Sequence, residues 1–181
     1  MARRPSVGFP NHLEPGATMV APARRLRMPV HMRWMCRQDL RAVLAIEEAS
    51  FEFPWAADDF IACGSSMQTV MRVAEWRAEP VGYVVYERFP KRLQVLNLAV
   101  EPRYRRQDIG RQIMHDLKGK LETGNRSRIT LECRERNLQG QLFFREMGFR
   151  AVSILKDFYD DTPEDAYLFQ FRLRRSAATS L

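Results

Sequence analysis

Four arginines, Arg103, Arg105, Arg106 and Arg111, crowd the stretch around YRRQDIGRQ, residues 104–112. That stretch follows an alternating apolar run, LQVLNLAV, and opens a helical pattern. The first amides of a helix have no intrahelical partners, and the helix dipole favours an anion there. Arginine adds forked donors that fit phosphate oxygens. One reading is a cradle for a diphosphate. The other is a solvated basic turn, which composition alone favours because short arginine clusters are common. Asp108 is the odd residue, a negative charge among donors meant for an anion. Aspartate tolerates a left-handed backbone better than most residues and is a good N-cap. Its carboxylate is therefore expected to bond the amide of Gly110 or Arg111, capping the helix at some expense to a ligand.

The surrounding pattern supplies elements to position this turn. His31 to Arg37 reads as a first strand. Asp39 is expected to cap a helix with Leu40, Val43, Leu44, Ile46 and Glu47 on one face. Pro54, in SFEFPW, breaks it. A short helix follows near Ala57 to Cys63. Two strands, Thr69 to Trp76 and Val81 to Arg88, flank a turn at residues 77–80, and Leu93 to Val100 completes a meander. Ile109, Ile113, Leu117 and Leu121 then recur every four residues, a helical stripe ended by Gly124 and Asn125. Arg128 to Cys133 is a strand, Leu138 to Met147 a helix closed by Gly148. Ala151 to Lys156 and Ala166 to Leu173 are two final strands. The order β-α-α-β-β-β-α-β-α-β-β predicts a mixed α/β domain with one central sheet.

Bulk properties narrow the function classes. The chain has 181 residues and a net charge of +7. Five arginines and one glutamate lie in the first thirty residues, giving +4, so the remainder carries only +3. Residues 1–30 are punctuated by Pro and Gly and lack periodicity, so they read as a disordered basic tail; residues 176–181 form a short C-terminal tail. The tail is either a transit-like segment or a floppy extension, with Met19 or Met28 as the true start. The body, 31–175, is one domain. No apolar run is long enough to span a membrane. Three scattered cysteines and three scattered histidines suggest neither a metal site nor a disulfide framework; reduced thiols in the cytoplasm are the default. His115 falls on an exposed helix face and Cys133 in the core. No basic face interleaved with aromatics points to nucleic acid.

Several segments resemble one family, the GCN5-related N-acetyltransferases. RRQDIG, residues 105–110, is similar to their Q/R-x-x-G-x-G/A loop, with Asp108 at the first glycine. LECRERNLQGQLFFREMGF, residues 131–149, resembles their strand–Asn–helix–GF segment. IEEASF, FPW and DFYDDTPEDAYL resemble the RimI-type branch, which acetylates protein N-termini, above all that of a small-subunit ribosomal protein. The resemblance covers about residues 31 to 175. It implies a central, mostly antiparallel sheet with splayed strands flanked by helices, and acetyl-CoA as cosubstrate without a metal. It places the carrier on Leu98, Ala99, Val100, Arg105, Arg106, Gln107, Asp108, Ile109, Gly110, Arg111 and Asn137. Asn137 is also a natural N-cap.

The resemblance makes Glu132 the general base that deprotonates the acceptor amine. Without it, Glu132 is an ordinary strand glutamate. The family's acid, a tyrosine, corresponds to Phe144, so that role is vacant; water or Tyr159 is the substitute. Phe53, Pro54 and Tyr159 resemble the loops that hold the acceptor. Acidic residues beside them, Glu47, Glu48, Glu52, Asp157, Asp160, Asp161, Glu164 and Asp165, are expected to steer a basic protein N-terminus. Lysine side chains or small amines are alternative acceptors. A catalytically weak CoA-fold protein that binds ribosomes or RNA is the non-enzymatic alternative.

Overall fold

A computed structural model describes residues 27–173. Seven strands form one sheet: β1 (His31–Trp34), β2 (Thr69–Trp76), β3 (Glu79–Arg88), β4 (Arg92–Val100), β5 (Arg128–Arg134), β6 (Arg150–Leu155) and β7 (Ala166–Arg172). Their spatial order is β1-β2-β3-β4-β5-β7-β6. Every neighbouring pair is antiparallel except β4 and β5. Among the described residues four α-helices, α1 (Leu40–Glu48), α2 (Ala57–Gly64), α3 (Ile109–Thr123) and α4 (Leu138–Glu146), flank the sheet. The element order matches the sequence reading.

Two apolar layers sandwich the sheet. On one face Ile109, Ile113, Leu117 and Leu121 of α3 pack on Val84, Leu93, Ile129 and Phe169, with Phe143 and Phe144 of α4 at the margin. On the other, Val43 and Ile46 of α1 and Phe60 of α2 pack on Val73, Tyr83, Val85 and Ala99. β3 is buried on both faces, which is why VGYVVY runs without polar alternation. No helix among the described residues is long and apolar enough to cross a membrane.

Three local details differ from the sequence reading. The β2–β3 turn is two residues, not four: Arg77 and Ala78 both take positive φ (49° and 66°), the twist-matched hairpin geometry. Asp39 does not cap α1 directly. It closes a 3-10 turn, residues 37–39, by accepting from the Cys36 amide at 2.8 Å, while the Arg33 guanidinium binds both its oxygens at 2.6 and 2.8 Å. Packing also reaches back to Met28, which is 8% exposed. The tail residues 1–26 and 174–181 lie outside the described residues.

The sheet opens where β4 meets β5. Their parallel pairing runs from Arg92 with Arg128 to Val95 with Leu131 and stops there. One residue on, Leu96 is an extra residue against β3, since Val85 pairs Asn97 and Tyr86 pairs Val95. Such a bulge bends a strand and increases its twist. From Leu96 to Val100, β4 keeps β3 on one edge and, among the described residues, has no strand partner on the other.

Candidate active site

A cleft of about 420 Å³ occupies that gap. Leu98, Ala99 and Val100 of the open β4 edge form one wall. Arg105, Arg106 and Asp108 to Arg111 form the second, and residues 136–140 with Phe143 and Phe144 the third. Ser50 and Phe51 close it from the α1 side. The cleft therefore gathers all the residues expected to hold the carrier except Gln107. Gln107 instead faces the N-terminal segment, its carbonyl accepting from the Met28 amide at 3.2 Å.

The arginine turn has an unusual backbone. Arg106 (φ 64°) and Asp108 (φ 71°) both adopt the left-handed conformation, the region where glycine is easiest and aspartate tolerated. Asp108 thereby takes a backbone shape that is easiest for glycine. It does not cap: its side chain makes no hydrogen bond to the first turn of α3. Its oxygens lie 3.3 Å from Arg111 Nε and 3.0 Å from Arg27 Nε. Charged guanidinium donors outcompete a neutral amide for a carboxylate. The first amides of α3, which lack intrahelical partners, are thus left to the cleft. Arg106 makes no ion pair among the described residues, and Arg105 bridges Val100 O (3.1 Å) and Ser50 Oγ (2.9 Å). Gly110 lets α4 approach: a Cβ there would lie 3.2 Å from Phe143 Cζ. Asn137 caps α4, accepting from the Gly140 amide at 2.8 Å. These uncapped amides, free guanidinium and open strand edge suit a diphosphate-bearing, strand-like ligand.

Glu132 is the first β5 residue beyond the split. Ile129, Leu131 and Cys133 face the α3 layer, so alternation turns Glu132 and Arg134 to the α1–α2 face. Burial pushes its carboxyl above the usual range, offset in part by Gln94 and then Arg92. Gln94 Nε2 donates to Glu132 at 3.2 Å. Arg134 stands between two rings, 4.8 Å from the Phe53 centroid and 3.7 Å from that of Tyr159. It also pairs with Asp161 (2.6 Å) and Glu164 (3.2 Å). One guanidinium thus ties together the two loops that carry Phe53, Pro54 and Tyr159. Those residues and Glu132 sit outside the cleft lining. Burial pushes the Tyr159 hydroxyl up to about 12 although Arg134 pulls the other way.

Two expected steering acids point inward. Glu164 is 5% exposed, held by Arg134 and the Arg136 amide. Glu47 is 1% exposed; it accepts from the Tyr83 hydroxyl, Asn97 Nδ2 (2.9 Å) and the Trp55 amide (2.9 Å). Neither meets solvent, so neither attracts a distant peptide. Sequence reasoning placed Glu47 only among the steering acids and missed Arg134 and Arg27 as parts of the site. For Glu47 the signal existed: a glutamate inside the α1 apolar stripe. For Arg134 it was the two-residue step from Glu132.

The Acetyltransferase (GNAT) family model matches residues 35–149. The chain belongs to that family, a class of acyl-transferring enzymes. It is 25% identical over 132 residues to the [ribosomal protein bS18]-alanine N-acetyltransferase of Escherichia coli (strain K12), covering 72% of this chain and 88% of that one. The crystal structure of the Escherichia coli ribosomal-protein-S18-alanine N-acetyltransferase superposes with a TM-score of 0.74 at 21% identity, over 84% of this chain and 99% of that one. Arabidopsis thaliana NAA60 in complex with acetyl-CoA superposes at 0.69 with 18% identity, over 80% and 100%.

Proposed function

We propose that this protein transfers the acetyl group of acetyl-CoA to the N-terminal α-amine of a protein, a ribosomal protein of the small subunit, in the cytoplasm. The observation that carries this reading is the split between β4 and β5, which leaves a cleft of about 420 Å³ along the free β4 edge, with Glu132 the first β5 residue past the last β4–β5 pair. The family membership and the named relatives support it.

The amides opening α3, with Arg105 and Arg106, hold the diphosphate. The free edge of Leu98–Val100 pairs with the carrier's arm as an added strand, and Asn137 borders it. The carrier supplies an activated thioester. Glu132 does the protein's own chemistry. An α-amine has an ordinary pKa of roughly 7.7–8.0 and must lose a proton before it attacks. A carboxylate whose pKa is raised by burial accepts that proton more readily than an exposed one, directly or through water. Phe53, Pro54 and Tyr159 hold the acceptor. With its pKa about 12, Tyr159 is a poor acid toward a thiolate whose parent thiol titrates at roughly 8.5 for cysteine. It suits a hydrogen bond to the acceptor's backbone; the thiolate, a fair leaving group, departs as the anion, and the proton taken by Glu132 passes to solvent.

A thiol-release assay with acetyl-CoA tests the reading, using N-terminal and lysine peptides as rival acceptors. Glu132→Gln is expected to lower turnover on the order of 100-fold while acetyl-CoA affinity stays within a factor of two or so. Equal turnover of the two proteins would remove the base. Preference for lysine peptides would move the acceptor to a side chain.

A further inference from the structure

The segment before β1 is fastened to the arginine turn. The Met28 amide donates to Gln107 O at 3.2 Å. Gln112 holds the same segment twice, donating from Nε2 to Met28 O (2.7 Å) and accepting at Oε1 from the Val30 amide (3.1 Å). With Met28 buried, Arg27 is delivered to Asp108 at 3.0 Å.

Arg111 is shared between two carboxylates, Asp108 at 3.3 Å and Glu146 at 2.6 Å. Asp108, Glu146 and Arg111 all line the cleft. One guanidinium against two carboxylates leaves −1; Arg27 brings the cluster to zero. Arg105 and Arg106 attract a diphosphate on the neighbouring amides in either case; the excess carboxylate at this corner opposes that attraction in the first case and is offset in the second.

We propose that Arg27 completes the phosphate subsite by neutralising Asp108, so that an N-terminal residue lets the cleft tolerate an aspartate where the family loop carries glycine. Arg27 is a positioning residue: it acts through Asp108, not on the carrier. The inference rests on the acetyl-CoA reading above.

The test is acetyl-CoA affinity by calorimetry at low salt, on full-length protein, in a double-mutant cycle. Arg27→Ala is expected to weaken binding roughly fivefold, the upper end for one exposed ion pair. In an Asp108→Gly background the same change should cost less than about twofold, because the excess carboxylate is gone. Glu146→Gln should suppress the Arg27→Ala loss as well, by removing the other one. Raising the salt should shrink the wild-type effect. An equal loss in all three backgrounds, or none in wild type, overturns the relay and leaves the acetyl-CoA reading standing. Failure of the wild-type protein to bind acetyl-CoA defeats that reading and this inference with it.

Discussion

Glu47 and Glu132 are both carboxyls that burial holds above the usual range, yet they are built for different work. Glu47 is saturated with donors from Tyr83, Asn97 and Trp55. Among the described residues Glu132 has a single side-chain donor, Gln94, and keeps acceptor capacity for an incoming proton. Glu47→Ala should therefore act on stability, orphaning a buried hydroxyl and amide at a cost of about 2–3 kcal/mol, read by urea denaturation. Glu132→Gln should act on rate. Because its pKa is raised, transfer should fall as pH drops through that elevated value, and the Gln variant should lose this acid limb in a kcat/KM profile. At this scale the sequence was half legible. Asp108's backbone followed from its residue type, but its partner did not: Arg27 comes from a distant segment, and only the fold brings the two together.

At the scale of elements, the site depends on β4 staying where its bulge puts it. Gly82 pairs opposite Val100, and a Cβ there would lie 2.9 Å from Ala99 O. That contact is with backbone, which cannot swing aside. Gly82→Ala should destabilise by about 1–3 kcal/mol, seen as a lower Tm, and should also weaken acetyl-CoA binding by displacing the Leu98–Val100 edge. The order of elements was readable because period 2 and period 3.6 alternate cleanly along the chain. The bulge was not readable, since Leu96 is as apolar as its neighbours and extra residues show only in pairing. The β2–β3 turn was misjudged because Arg-Ala carries none of the glycine or asparagine that usually marks a left-handed pair.

For the molecule as a whole, the first strand and α1 are tied by Arg33 and Asp39. That guanidinium holds the Asp39 carboxyl at about 2, below its ordinary 3.8. A depressed carboxylate contributes stability that is present above the unfolded value and is lost as pH falls through the folded one. Urea melts between about pH 4 and 2 should show this loss, and Asp39→Asn should flatten it while lowering stability at neutral pH. The whole-molecule charge, +7, was legible at once, but its distribution was not. Burial withdrew Glu47 and Glu164 from the acidic rim and left Glu48, Glu52, Asp157 and Asp160 exposed there. Carrier binding turns on the amides that open α3 and on the free edge of β4. Titrating isotope-labelled protein with acetyl-CoA while following backbone amide resonances tests both together. The largest shifts should fall on Ile109, Gly110 and Arg111 and on Leu98 to Val100; shifts confined to other elements, or none at all, would contradict it.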